Sequence, residues 1–377
     1  SHLFPSHDHV RHATESDHAV YAVSQESGDE VMIDQRFKVR EGDLLDLAIS
    51  HADVEITTTD RTEAHVRVSI SGSDMDKARE FYESRNFEVR QDGRRIVVKT
   101  NPKKRNWSWS SGRIDIDVEI SIPRSFNADL AMSHGDLEMD DLKGNLDVKS
   151  SHGDVEVGAV DGEYVKVKHS HGDVEVGQAR AKSIELMTSH GSLELGQAYA
   201  DNLEAQSSHG DVSLGIKEAG SLELSNSHGD VELFMSSAVG GSIRNSHGDI
   251  EIMTTDDAAM TLDLRGSHVS MDASMAFSGT ATSKKVDGEL NGGGPLLKAR
   301  SPARQNGPAS ARFRPAPAVC RPRRDAQVRI LFPVSAPRRA LTTIFTKRPV
   351  AGRVKTRLCP PLKPEEAAAL ALAMLDD

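Results

Sequence analysis

One seven-residue segment recurs through the middle of the chain. SHGDLEM begins at Ser133, SHGDVEV at Ser151 and again at Ser170, and SHGSLEL at Ser189. SHGDVSL follows at Ser208, SHGDVEL at Ser227, SHGDIEI at Ser246, and a decayed SHVSMDA at Ser267. Their histidines, His134, His152, His171, His190, His209, His228, His247 and His268, are spaced by 18, 19, 19, 19, 19, 19 and 21 residues. A fixed period of this length marks stacked repeats, each too small to bury a core alone.

Within each repeat the apolar residues keep constant offsets from the histidine. Val155 and Val157, Val174 and Val176, Leu193 and Leu195, Val231 and Leu233, and Ile250 and Ile252 follow it by three and five residues. Leu146 and Val148, Val165 and Val167, Ile184 and Leu186, and Leu222 and Leu224 precede it by six and four. Spacing by two places side chains on one face of a strand, so each repeat holds two short half-buried strands. The His-Gly pair makes one turn, and Asp161-Gly162, Gly220 or Gly240-Gly241 makes the other. No helix of ordinary length fits. The expected fold is an all-β, single-stranded β-solenoid of stacked two-strand coils of about 19 residues, rising about 4.8 Å per coil. Val155, Val174, Leu193, Val212, Val231 and Ile250 should form one buried file.

The organisation expected around these repeats has five parts. Residues 1–30 are polar and His-rich and read as a flexible lead-in. His7, His9, His12 and His18 cluster there, but irregular spacing with few acidic partners argues against a metal site. Residues 31–125 read as an N-terminal β cap with one short helix. In that cap, LLDLAISHADVEI at 44–56 is a diverged first copy of the repeat, and 75–87 is helical, started by Asp74 or Ser73. IDIDVEISI at 114–122 alternates as a strand closed by Pro123, and Trp107 and Trp109 fall on the loop before it. The solenoid proper is expected over 126–298. Residues 299–340 read as a disordered Arg/Pro-rich linker and 341–377 as a separate fragment.

Charge follows this division. Residues 299–377 carry 16 Lys+Arg against 5 Asp+Glu, whereas the preceding residues carry 30 against 52. The acidic body could not neutralise a run of phosphates, which excludes nucleic acid as a partner. Both cysteines, Cys320 and Cys359, lie in the basic tail, so the body has neither disulfides nor thiolate chemistry. No transmembrane helix is expected, because no run of about 18 apolar residues exists. No signal peptide is visible, and the chain opens on Ser1, as it would had one been removed.

Two resemblances follow from motifs. F-x-V-x-x-G-x-L-x-L leading to ADVEI, then ISIPRSFNADLAMSHGDLEM, the repeats themselves, and GELNGGGPLL at 288–297 together resemble the bacterial putative-adhesin β-strand-repeat domain. That resemblance covers about 37–298. It implies a β-solenoid, an extracytoplasmic location in the periplasm, on the outer surface or secreted, and no catalytic residues. The segment 341–377, with TIFTKRPVAGRVKTRL and PEEAAALALAM, resembles the N-terminal part of a bacterial glycosyltransferase-like protein with an A-type nucleotide-binding fold. It implies that Gly352, Lys355 and Arg357 occupy ligand-contacting positions. The carboxylates that would hold a metal and a sugar donor are not in it, so this α/β fragment is expected to be truncated.

The chemistry open to the repeats lies in their files of identical residues. His152, His171, His190, His209, His228 and His247 share a slot with Asp136, Asp154, Asp173, Asp211, Asp230 and Asp249 two residues after a histidine. Imidazole and carboxylate suit zinc, and neighbouring rungs could share an ion. Turn chemistry explains the same residues more simply: glycine accepts positive φ, and aspartate bonds nearby backbone amides. No position unites a nucleophile, a base and an orienting group. NGGGP lacks the strand and helix of a phosphate loop and reads as a turn.

The expectation is therefore a non-enzymatic exported scaffold or adhesin with no catalytic, cofactor or assigned metal site. Its partner would be a surface or envelope ligand, with self-association through the solenoid ends. The competing readings are a metal- or pH-responsive periplasmic binding protein using the ladder, and a glycosyltransferase fusion truncated at its C-terminus.

Overall fold

The computed structural model describes residues 29–102, 114–272, 274–301 and 310–315. Chain contacts divide the protein after Pro315, and the remaining residues lie outside the described ones. So do the His-rich lead-in, Trp107 and Trp109, and the glycosyltransferase-like segment with Gly352, Lys355 and Arg357.

Each coil contributes one strand to each of two walls, and both walls feed a single hydrophobic core. In the first wall Asn127–Met132, Leu146–His152, Tyr164–His171 and the second half of Val174–His190 pair in parallel and in register. In the second wall Leu137–Met139, Val155–Asp161 and the first half of Val174–His190 do the same. Alternation then buries every second residue. The file Val155, Val174, Leu193, Val212, Val231 and Ile250 is 0–1% exposed, as its spacing requires.

The structure moves both expected limits of the solenoid. Leu44–Ile49 pairs directly with Asn127–Met132, and Asp53–Thr59 with Leu137–Met139. Arg95–Thr100 and Ile114–Pro123 extend the same two walls by a further parallel rung. The stack therefore starts within 44–123 rather than at 126. Only the antiparallel strands Glu30–Lys38, Glu63–Gly72 and Phe87–Asp92, with the helix, act as a cap. That helix is Met75–Arg85, and Asp74 caps it by accepting a hydrogen bond from the Lys77 amide at 3.3 Å.

At the other end, coil order departs from chain order. Met260–Gly266 and His268–Met271 do not stack on the coil that ends at Thr254. Leu296–Ser301 and Ser310–Pro315 lie between, paired on one side with Gly241–His247 and Ile250–Thr254. On the other side they pair with Met260–Gly266 and His268–Met271. The solenoid thus runs past the expected limit of 298, and 299–301 and 310–315 are strands rather than linker. The return is made by the hairpin of Phe277–Thr282 with Lys285–Leu290 and by the NGGGP turn. There Asn291, Gly292 and Gly293 adopt positive φ, and the Asn291 side chain donates to the carbonyls of Asp256 and Ala258. His268 consequently sits outside the histidine file. Among the described residues no helix is long and apolar enough to cross a membrane.

Candidate functional site: the His-Gly-Asp corner

The corner joining the first wall to the second is built from backbone outward. Gly153, Gly172, Gly191, Gly210 and Gly229 hold φ between 106° and 130°, a region disfavoured for residues with a Cβ. Each donates its N–H to the histidine carbonyl of the next coil at 2.9–3.2 Å. A Cβ at any of them would also fall 1.9–2.2 Å from a carbonyl oxygen of the preceding coil. The diverged copy shows the alternative: Ala52 stands in the glycine slot, and positive φ passes to His51 at 62°.

Aspartate locks the same corner. Asp53, Asp136, Asp154, Asp173, Asp211 and Asp230 each accept, through Oδ1, the amide one residue before the next coil's second-wall strand, at 2.8–3.0 Å. The aspartate file therefore binds backbone of the adjacent rung.

Outside this lock the imidazoles stack. His51, His134, His152, His171, His190, His209, His228 and His247 form one column with ring centroids 4.3–4.9 Å apart. From His134 onward the planes are within 1–5° of parallel. His152 Nδ1 lies 3.3 Å from the Ser133 carbonyl oxygen and His247 Nδ1 3.2 Å from that of Ser227. A carbonyl only accepts, so in these rings Nδ1 carries the proton and Nε2 keeps the lone pair. The helix closes the column. Phe81 meets His51 edge-on, and Arg85, packed over Phe81, approaches His51 Nδ1 at 3.5 Å. Burial, then the neighbouring His134 and Arg85, hold the His51 pKa below its usual value; burial and His152 do the same for His134.

Behind the column runs a second file that the sequence reading missed. Ser150, His169, Thr188, Ser207, Asn226 and Asn245, each two residues before a ladder histidine, are only 1–5% exposed. Ser150 Oγ, both His169 ring nitrogens, Thr188 Oγ1, Ser207 Oγ and the Oδ1 atoms of Asn226 and Asn245 have no hydrogen-bond partner among the described residues. Burial pushes the His169 pKa down, against a smaller opposing pull from the main chain at His171 and Ser150. The signal was available. Leu146, Val148 and Ser150 are spaced by two, so whatever stands at the third position must also face inward.

No group of three or more His, Cys, Asp or Glu side chains converges on a common point among the described residues. The corner thus repeats the same side chains from rung to rung. On the outer face of the first wall, Glu204, Ser221, Glu223, Ser242, Leu296 and Lys298 line an open groove of about 570 Å³.

A solved "putative adhesin" from Bacteroides fragilis is 14% identical, covering 76% of this chain and 97% of its own, with a TM-score of 0.36. Another, from Parabacteroides merdae, is 8% identical over 76% and 95% of the two chains at 0.43. A "putative lipid binding protein" from Parabacteroides distasonis is 13% identical over 60% and 90% at 0.39. No curated protein matches the sequence. The Toastrack DUF4097 profile matches residues 43–262 and, overlapping them, 163–294, and the chain belongs to that family.

Proposed function

We propose that the chain is a non-enzymatic, extracytoplasmic surface scaffold with an adhesive role. One observation carries this reading: outward positions repeat the same side chain rung after rung at constant pitch. Glu55, Glu138, Glu156, Glu175 and Glu194 stand in register along the second wall, and Glu232 and Glu251 resume the file after Ser213. A periodic surface of this kind suits a ligand that is itself extended or repetitive, because each added contact is intramolecular once the first is made.

Self-association through the solenoid ends belongs to the same proposal. The terminal strand Phe277–Thr282 carries no charged residue. At the opposite end Phe87–Asp92 is blunted by Glu88, Arg90 and Asp92, which pair with one another. Uncharged edges favour strand addition.

The test immobilises the full chain and passes surface polysaccharides of graded length over it, with fractionation of the native cells alongside. Affinity should climb with polymer length, and the protein should fractionate with the envelope. Exclusive recovery from the cytosol, or length-independent binding accompanied by turnover of a small substrate, would overturn the reading.

A further inference from the structure

The histidine column has a property that a purely structural stack does not need. In His152 and His247, whose Nδ1 donates to a serine carbonyl, the neutral imidazole keeps its lone pair on Nε2, and both residues are exposed. This is the arrangement in which imidazole ligates a metal, the other ring nitrogen being held by a backbone acceptor. We propose that the column from His134 to His247 binds divalent d-block cations such as zinc through adjacent pairs of histidines, with water completing each coordination sphere.

Distance sets the mode of binding. Zinc takes imidazole nitrogen at about 2.0–2.1 Å, so two ligands can be at most about 4.2 Å apart. Adjacent rings stand 4.5–4.9 Å apart with planes nearly parallel. As they stand, no ion is shared. Two neighbours must tilt toward each other, and each tilt carries the ring away from its neighbour on the other side. A bound pair therefore disables the gaps flanking it, and ions can occupy at most alternate gaps. The aspartates commit Oδ1 to amides of the next coil, and no group of three or more His, Cys, Asp or Glu side chains converges among the described residues. His51 differs from His152 and His247, since its Nδ1 meets the Ser50 hydroxyl at 2.6 Å and the Arg85 guanidinium, which can only donate, at 3.5 Å.

This alternation makes adjacency, rather than the number of histidines, the determinant. Two full-chain variants separate them, each losing four ladder histidines to glutamine. The alternating variant replaces His134, His171, His209 and His247, so no two remaining ladder rings are neighbours. The block variant replaces His190, His209, His228 and His247 and keeps His51, His134, His152 and His171 as neighbours. Histidines elsewhere in the chain are identical in both and give a common background. Zinc chloride alone is titrated by calorimetry into each, after circular dichroism shows that both retain the native strand signal and a cooperative melt.

The block variant should keep at least one site above the common background, about a hundredfold tighter than any zinc binding special to the alternating variant. Copper(II) added in place of zinc should give a two-nitrogen paramagnetic spectrum in excess only in the block variant. Equal stoichiometry and affinity in the two variants would overturn the proposal, as would wild-type protein binding no more zinc than the alternating variant. Should the alternating variant fail to fold, wild type is compared with His152→Gln/His190→Gln/His228→Gln, in which no two of the four rings remaining between His134 and His247 are neighbours and only the His51–His134 contact persists. An unchanged zinc stoichiometry there would refute pairing equally.

Discussion

The two corners of the coil solve the same problem, reversing the chain inside a fixed pitch, in different ways. At the His-Gly-Asp corner the residues hardly vary, and three devices hold rung to rung: a glycine amide, an aspartate carboxylate at every described corner but that of Ser192, and a stacked ring. At the opposite corner the first rungs use a similar lock, Asn127 and Asn145 accepting the Asn145 and Glu163 amides at 2.9 and 2.8 Å, but from Val174 onward the chain simply bends. Val174–His190, Leu193–His209 and Val212–His228 each run through it as continuous 17-residue strands. Inward residues there are Val160, Ala179, Ala198 and Ile216, and the pairing slips register around Ala198. Outward contacts are individual, such as Lys182 with Glu163 and Arg180 over the Tyr199 ring. A corner closed by backbone geometry dictates its residues, and a corner closed by burial dictates only polarity.

The largest expected effect breaks the core beneath both corners. Val174, 1% exposed, lies among Val155 and Leu193 of the neighbouring rungs. Val174→Asp should cost about 4 kcal/mol or more in urea unfolding, since a carboxylate would be buried without a partner. One residue along, Glu175→Lys should stay within about 0.5 kcal/mol, because that side chain faces outward between Glu156 and Glu194.

Next in size is the aspartate lock. Asp154→Ala leaves the Asp173 amide without its acceptor and should cost about 1–2 kcal/mol. If the loss matched that of an outward residue at the opposite corner, the asymmetry between corners would fail.

The pH dependence follows from the depressed pKa values of His51, His134 and His169. With folded pKa below the unfolded value of about 6.5, the folded state binds fewer protons, so stability is full above that pH and declines as pH falls below it. Melting with a chelator present should give a lower Tm at pH 5 than at pH 8. His169→Thr, which copies the Thr188 of the next rung, should flatten the difference. A higher Tm at pH 5 would contradict the sign.

The smallest effect concerns the inner file. Thr188→Val removes a buried hydroxyl that has no partner among the described residues and should raise stability by up to about 1 kcal/mol. A loss of stability would mean that the hydroxyl is satisfied after all.

Much of this was legible in the sequence. Period 19 and alternation placed Val155 through Ile250 in one file, and Asp74 marked the helix start. Period-2 patterning, however, reports which face a residue takes and not which strand lies beside it. Leu296–Ser301 therefore gave no sign that it would slot between coils already written, and the 83-residue gap between His51 and His134 hid the fact that their rings touch. The inner file was missed for a different reason: Ser150, Thr188 and Ser207 are polar and flank a turn, so composition suggested solvent where parity required the interior. At the candidate site the aspartate role was readable as amide capping, but only the structure shows that the amide belongs to the next coil.

The account rests on the claim that backbone geometry fixes the His-Gly-Asp corner, and two glycines of neighbouring rungs test it directly. Gly191 has φ 118°, and a Cβ there would lie 1.9 Å from the Gly172 carbonyl oxygen; at Gly177 the nearest atom to an added Cβ is 3.5 Å away and φ is unremarkable. Denaturant unfolding of Gly191→Ala and Gly177→Ala should therefore diverge, with a loss of about 3 kcal/mol or more at Gly191 and a change within about 1 kcal/mol at Gly177. Equal, small changes at both would contradict it.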